Sequence, residues 1–331
     1  MSKKHTFIDL FCGVGGIRIA MEQNDFECVF SSDINEECQK TYFKNFDEMP
    51  KGDITKIKEK DIPKHDILCA GFPCQPFSAA GKQLGFEDTR GTLFFEICRI
   101  IKAKSPKVIL LENVKNLVYH DKGNTLKVIL ATLESLGYFV DTKILNAADF
   151  GIPQSRERII IVASKNKKFD FSKLATKKKP QLKDFLDKNG QFDFLKEDEY
   201  TLINPKIRKK QLSGLIFAGY RNKKIRTAGV RPGTEHLSRV HRQCNRIHSV
   251  FGTFPTLNSQ ESSGRFFILT EENKVRRLTL NECWRIMGFP ENYQKISSQS
   301  EQYKQLGNSV CIPMISAVSL QIKKQFFKDK Q

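Results

Sequence analysis

Gly71-Phe72-Pro73-Cys74-Gln75-Pro76-Phe77-Ser78 sets a cysteine between two prolines, directly after the apolar run Asp66-Ile67-Leu68-Cys69-Ala70. The run reads as a buried strand. Proline, with its fixed φ and no N–H, forces a rigid loop at its end. Ends of strands in open α/β sheets are where catalytic groups gather, so a thiol held there is positioned for attack. Taken alone, the same cysteine is more simply a small core hydrophobe beside a tight turn. Its company decides between the two.

That company is polar and recurs at other expected strand ends. Glu112-Asn113-Val114 closes the strongest apolar run of the chain, and an acid emerging there lies near Cys74 if the two strands are neighbours. Gln154-Ser155-Arg156-Glu157-Arg158 precedes another apolar run, and Gln305-Leu306-Gly307-Asn308-Ser309-Val310 precedes the last helical segment. A thiol, a carboxyl and arginines at strand ends make a site for covalent chemistry on a polar ring. A second constellation opens the chain: Asp9-Leu10-Phe11-Cys12-Gly13-Val14-Gly15-Gly16-Ile17. Glycines in such a turn let a ligand approach the backbone. The spacing is Gly-x-Gly-Gly, not the dinucleotide Gly-x-Gly-x-x-Gly. Asp33 follows about 20 residues on, where a carboxylate accepts from ribose hydroxyls, and Asp53 is a third candidate contact. Either acid could instead cap or turn the chain.

The elements that must position these groups alternate. Strands are expected over residues 7–11, 27–31, 66–70, 107–111, 138–145 and 158–163, with helices from near 17 and over 92–103 and 125–136. This alternation implies a mostly parallel sheet covered by helices. Residues 165–180 are lysine-rich and read as a linker. Residues 185–270 show no helical period and read as a smaller, loop-rich domain. A helix is expected over 276–287, ended by Gly288-Phe289-Pro290, and an amphipathic one over 312–327.

The length of 331 residues allows one large or two moderate domains, and 39% hydrophobic residues suffice for a sizeable core. No apolar stretch approaches the roughly 18 residues of a membrane span, and no signal peptide precedes the first strand. Nine cysteines without CxxC pairs or zinc-ligand spacing suggest reduced thiols, a cytoplasmic setting and no metal site. The net charge is +18, and residues 205–248 hold twelve Lys and Arg against the single acid Glu235. Glycines and aromatics interrupt that charge, as in Phe217-Ala218-Gly219-Tyr220-Arg221. A solvated face would need neither, so loops meeting a phosphate backbone are the expectation.

In this order and spacing the clusters resemble the DNA (cytosine-5)-methyltransferases in their compact restriction–modification form. The resemblance covers nearly the whole chain except its middle. It implies a Rossmann-like class I methyltransferase fold with a mostly parallel sheet, plus a smaller loop-rich target-recognition domain. The catalytic, cofactor-binding domain would span residues 1–180, completed by 304–331. Recognition would fall to 185–275, with 276–303 as a hinge segment. By the resemblance, Cys74 attacks C6 of a flipped-out cytosine, C5 is methylated from S-adenosylmethionine, and Glu112 contacts N3 and the exocyclic amine. Arg158 reaches toward O2 with Arg156 in support, and nearby arginine charge favours the thiolate.

The resemblance also assigns the ligand contacts. Phe11 stacks on the cofactor adenine, Asp33 holds the ribose and Asp53 meets the adenine edge. Gly13, Gly15, Gly16, Ile34, Ile54, Pro73, Asn308, Ser309 and Val310 complete the cofactor site, with Asn308 and Ser309 also locking the nucleophile loop. Relatives often carry Glu at the place of Asp33 and an aromatic residue at that of Ile34. Gln75 and Ser78 would close on the flipped nucleotide, and Thr256, in Phe254-Pro255-Thr256-Leu257, would anchor recognition near it. Arg231, Arg239, Arg242 and Arg246 are candidates for base or phosphate contacts, and arginine serves both. Double-stranded DNA is the implied partner, bound by one monomer per site, with a companion restriction endonuclease. The rival readings are a tRNA cytosine-5 methyltransferase, a non-catalytic DNA-binding regulator and a nicotinamide-dependent dehydrogenase.

Overall fold

The computed structural model describes residues 4–73, 93–222, 233–234 and 236–327. The chain divides into two compact units. The first comprises Met1–Leu145, Glu157–Ala175 and Ser309–Gln331, and the second Asn146–Arg156 and Thr176–Asn308.

The first unit is built on a six-stranded sheet. Its strands are β1 (Thr6–Leu10), β2 (Glu27–Ser32), β3 (Ile67–Gly71), β4 (Val108–Val114), β5 (Phe139–Asn146) and, after the two-residue β6 (Gln154–Ser155), β7 (Glu157–Ser164). Their order is β2-β1-β3-β4-β7-β5. β1 pairs in parallel with β2 and β3, and β3 with β4, while β7 runs antiparallel to β4. Strands buried on both faces need apolar residues at every position, not alternate ones. β3 and β4 meet that demand, with Ile67, Leu68, Cys69 and Ala70, and Val108 through Leu111, all buried.

Helices α1 (Gly16–Glu22), α2 (Glu36–Phe46), α3 (Leu93–Lys104) and α4 (Asn124–Ser135) connect the strands. α3 turns Phe94, Ile97, Cys98 and Ile101 inward, the i, i+3, i+4, i+7 stripe that seals a helix on a sheet. Each such side chain contributes about 1.5–3 kcal/mol on burial. The strand expected over 7–11 stops one residue early. Phe11 adopts φ +56°, a left-handed conformation that costs a bulky residue about 1–2 kcal/mol, and so begins the glycine turn.

The lysine-rich stretch is not a free linker throughout. Phe169 and Phe171 are buried and meet edge to face at 4.7 Å. The flanking lysines, Lys167, Lys168 and Lys173, hide them in the composition.

The second unit carries a five-stranded sheet of order β13-β12-β10-β9-β8. The strands are β8 (Tyr200–Leu202), β9 (Phe217–Arg221), β10 (Arg246–Ser249), β12 (Phe267–Leu269) and β13 (Val275–Arg277), with β11 (Phe254–Pro255) paired separately on β6. Ala218, Ile247, Phe267, Leu269 and Val275 form its core. The helix expected over 276–287 is shorter, because Arg276 and Arg277 belong to β13. α5 (Leu280–Arg285) starts at Thr279, whose hydroxyl accepts from Glu282 N while the Glu282 carboxylate accepts from Thr279 N. Such a reciprocal cap fixes where a helix begins. α6 (Gln299–Asn308) is unanticipated by the sequence reading, since it buries few apolar side chains, Tyr303 and Leu306 among them.

The chain then returns to the first unit as α7 (Ile312–Phe326), which docks on α1. Asn24 Nδ2 donates to Ser319 Oγ at 2.6 Å, and Ser319 Oγ donates to the Ala20 carbonyl at 3.0 Å. Gln325 of α7 exchanges two hydrogen bonds with the Asp170 backbone, tying the Phe169–Phe171 segment to the same unit. Among the described residues no helix is long and apolar enough to cross a membrane.

Candidate active site

Parallel strands end at one edge of a sheet. β1 to β4 therefore deliver Phe11, Asp33, Phe72-Pro73 and Glu112 to one edge, and the antiparallel β7 begins there with Arg158. At the reacting end, Gly71 pairs with Glu112 and Val114 with Arg158. Side chains two apart on a strand share a face, so Arg158 lies on the same face as Glu112. Arg158 Nε stands 3.1 Å from Glu112 Oε1, and each side chain is 10% exposed. Arg158 Nη1 also donates to the Glu157 carbonyl at 2.8 Å.

Asn113, between them in sequence, donates from Nδ2 to the Phe72 carbonyl at 2.8 Å, and its Oδ1 accepts from Val114 N at 2.8 Å. It fixes the chain at the point where β3 ends. The sequence quotes Asn113 only as part of a motif, and nothing in its local pattern reveals this bond. The candidate nucleophile Cys74, with Gln75 and Ser78, lies outside the described residues. Five of the described thiols are poor nucleophiles. Burial pushes Cys12, Cys69 and Cys283 well above the usual range, and Cys28 and Cys98 up to about 12, where the reactive thiolate is scarce.

The glycine turn forms the other half of this edge. Gly13 and Gly15 have φ +53° and +79°. A Cβ on Gly15 would stand 2.3 Å from Phe46 Cε2, and one on Gly16 2.8 Å from Ser309 Oγ and 3.0 Å from Val310 Cγ2. Ser309 and Val310 are thus brought onto the turn, and side chains larger than hydrogen are excluded there. Asp33 Oδ2 accepts from Gly13 N at 2.7 Å, and Oδ1 from Asn35 N at 2.8 Å. Burial raises the Asp33 carboxyl above its ordinary range, against the lowering effect of these amides. Ile34 beside it is 72% exposed. Asp53 caps a single turn, Ile54–Lys56, its Oδ1 accepting from Thr55 N and Oγ1 at 3.0 and 2.8 Å. These bonds hold its carboxyl below the usual range, and Ile54 is buried beneath it.

The Gln154–Arg158 cluster is divided between the units. Arg158 meets Glu112 in the first, whereas Arg156 is buried in the second. There Arg156 donates from Nη1 to the Leu257 carbonyl and from Nη2 to the Gly307 carbonyl, both at 2.9 Å. The sequence reading groups it with the catalytic residues, but its guanidinium is bound to backbone oxygens of the second unit. Thr256 Oγ1 donates to the Ser155 carbonyl at 2.8 Å, and Gln154 Oε1 accepts from Leu257 N at 3.2 Å. The Thr256-Leu257 pair is therefore locked on β6. Asn308 ends α6, one residue after the Gly307 carbonyl that Arg156 holds.

Arg239 and Arg242 are exposed on neighbouring single turns. Arg246 is half-buried and donates from Nε to the His241 carbonyl at 3.0 Å, and the His241 ring stacks on Tyr220 at 4.1 Å. Arg231 lies outside the described residues.

Comparison with known proteins gives the family and the fold. The family model for C-5 cytosine-specific DNA methylase matches residues 5–324. The type II methyltransferase M.HhaI of Haemophilus parahaemolyticus is 42% identical, over 96% of this chain and 93% of its own length. M1.ScrFI of Lactococcus lactis subsp. cremoris is 42% identical over 99% and 80% respectively. Among solved structures, the S. pombe Dnmt2 methyltransferase aligns with a TM-score of 0.70 at 20% identity, over 98% of this chain and all of that one. That likeness establishes the fold, a Rossmann-like methyltransferase sheet. By the family match and the curated relatives together, the chain belongs to the C-5 cytosine-specific DNA methylases.

Proposed function

We propose that this protein methylates C5 of one cytosine in a short, specific duplex DNA sequence, using S-adenosylmethionine and a transient bond from Cys74 to C6. The observation that carries the reading is the Glu112–Arg158 pair on the sheet edge where β3 leads into Pro73-Cys74. Cytosine C5 is a weak nucleophile within an aromatic ring. Addition of the Cys74 thiolate at C6 breaks the C5–C6 double bond and moves its electron pair onto C5. Glu112, held by Arg158, shares a proton with ring N3 and accepts from the exocyclic amine, which stabilises the charge that develops there. Arg158 presents its remaining donors toward O2. Once C5 has taken the methyl group from the sulfonium, with S-adenosylhomocysteine as the leaving group, loss of the C5 proton to a base expels the thiolate and restores the ring.

The residues present fit the cofactor. A Cβ on Gly13 would meet nothing within 4 Å, so the outer side of the turn is open. The carboxylate of Asp33 and the exposed Ile34 flank that opening with an acceptor for ribose hydroxyls and an apolar contact for a base. Phe11, Gly15, Gly16, Asp53, Ile54, Pro73, Asn308, Ser309 and Val310 are assigned to the same site. When bound, S-adenosylmethionine supplies an electrophilic methyl group.

The target base is stacked in a duplex, so it must be flipped out, which costs a few kcal/mol. Phosphate contacts from the basic second unit can offset that cost. Arg239 and Arg242 suit phosphate contacts because they are exposed. Thr256 suits a fixed anchor beside the flipped nucleotide, because its hydroxyl is already bound to β6. Gln75, Ser78 and Arg231 are assigned to the same DNA. The curated relatives are named type II methyltransferases, which supports a protective role beside a restriction endonuclease.

Methyl incorporation from labelled S-adenosylmethionine into unmethylated duplex DNA and into tRNA tests the reading, with bisulfite sequencing of the product. Methylcytosine in one short DNA motif is expected. Transfer to tRNA alone would replace DNA as the substrate, and no transfer to either would sink the proposal.

A further inference from the structure

Three stretches carry the candidate cofactor groups, namely the turn from Phe11 to Gly16, Asp33 at the end of β2, and Asp53 in the segment after α2. One side chain of no assigned role joins them. Glu48 Oε2 accepts from Arg18 Nη1 at 2.7 Å, and Glu48 Oε1 accepts from Ser31 Oγ at 2.7 Å. Arg18 lies on α1, two residues beyond Gly16. Ser31 lies two residues before Asp33, and Glu48 five residues before Asp53.

The bracket is rigid at each end. Arg18 is 12% exposed, donates from Nε to Glu22 at 2.8 Å and from Nη1 to the Tyr42 hydroxyl at 3.1 Å, and lies 4.5 Å over the Phe46 ring. Phe46 is also the ring that Gly15 abuts. Backbone bonds continue the tie on the other side, since Lys51 N donates to the Ser31 carbonyl and Asp33 N to the Lys51 carbonyl, at 2.8 and 2.9 Å. A planar guanidinium stacked on an aromatic and bonded to three acceptors has lost its rotamer freedom before any ligand arrives. Asp9 is fully buried nearby, and burial pushes its carboxyl well above the usual range.

We infer that Arg18, Glu48 and Ser31 are positioning residues that set the glycine turn and Asp33 at the spacing the cofactor requires, without touching it. The inference rests on the cofactor reading above. A bracket of this kind acts on cofactor affinity and leaves the chemical step and the DNA contacts alone.

The test is calorimetric binding of S-adenosylhomocysteine to the full chain, alongside DNA affinity, kcat at saturating cofactor and thermal midpoint. Glu48→Ala is expected to weaken S-adenosylhomocysteine binding by about tenfold or more, the loss of both hydrogen bonds to the carboxylate from a preorganised site. Glu48→Gln and Ser31→Ala, which each keep one arm, should fall between it and the wild type. DNA affinity and kcat should stay within about twofold, a split that general loosening of the fold would not give. Wild-type-like binding by Glu48→Ala overturns the inference. So does a parallel fall in cofactor affinity, DNA affinity and kcat across the three variants. A wild-type protein that binds no S-adenosylhomocysteine overturns the cofactor reading itself and the inference with it, whereas wild-type binding with unchanged variants overturns the inference alone.

Discussion

Glu112 and Arg158 face each other from antiparallel strands at 3.1 Å with little solvent access. Charges removed from water offset their desolvation only while both are present. Arg158→Met leaves the carboxylate uncompensated and is expected to cost about 3–5 kcal/mol in urea unfolding. Adding Glu112→Gln should restore most of that loss, and no recovery in the double variant would mean that the pair is not coupled. Glu112→Gln alone keeps the shape but gives up the proton-sharing oxygen. It should lower kcat by about 10²–10⁴ while leaving DNA affinity near the wild type.

His248 sets a pH dependence. It is buried among Phe217 and Phe254, and burial, with Arg246 adding to it, lowers its pKa from 6.5 to about 3. The unfolded chain then takes up this proton before the folded one. The stability His248 contributes is full above pH 6.5 and is lost as pH falls toward 3. His248→Phe should shrink the drop in thermal midpoint between pH 7.5 and pH 5. An unchanged drop would assign the acid sensitivity to other groups.

At the scale of elements, Thr279 and Gly16 show how single positions fix boundaries. Thr279→Ala removes the hydroxyl that accepts from Glu282 N at 3.1 Å and should cost about 1 kcal/mol, read from denaturant midpoints. Gly16→Ala drives a methyl into Ser309 and Val310. It should cost about 1–3 kcal/mol by overpacking and weaken cofactor binding along with stability. Unchanged stability would show that the Ser309 segment yields.

The strands of the parallel sheet are legible in the sequence because burial on both faces demands unbroken apolar runs. Strands β8 to β13 are not, because two to five residues are too few for alternation to stand out. Arg276 and Arg277 read as helix because the helical spacing that follows them is stronger than three residues of strand. The Gln154–Arg158 motif is legible as a cluster but not as two devices, since Arg156 finds its partner Leu257 101 residues away and only the fold reveals that.

At the scale of the molecule, the surplus of +18 and the exposed arginines of the second unit bear on DNA affinity through counterion release. Affinity should fall steeply and linearly on a log–log plot against salt. Arg242→Ala should reduce the slope by about one unit if that arginine meets a phosphate, and an unchanged slope would exclude the contact. The basic segment is readable from composition. The assignment of residues 146–156 to the second unit is not, because it depends on contacts between segments distant in sequence.

The proposed mechanism turns on covalent attack by Cys74 on the target base. Incubation with S-adenosylmethionine and duplex DNA bearing 5-fluorocytosine, whose C5 fluorine replaces the proton that elimination must remove, tests it most directly. The expected result is a denaturant-stable protein–DNA adduct that maps to the peptide containing Cys74 and is absent from Cys74→Ser. A wild-type protein that methylates ordinary DNA yet forms no adduct, or forms one at another cysteine, would contradict the mechanism.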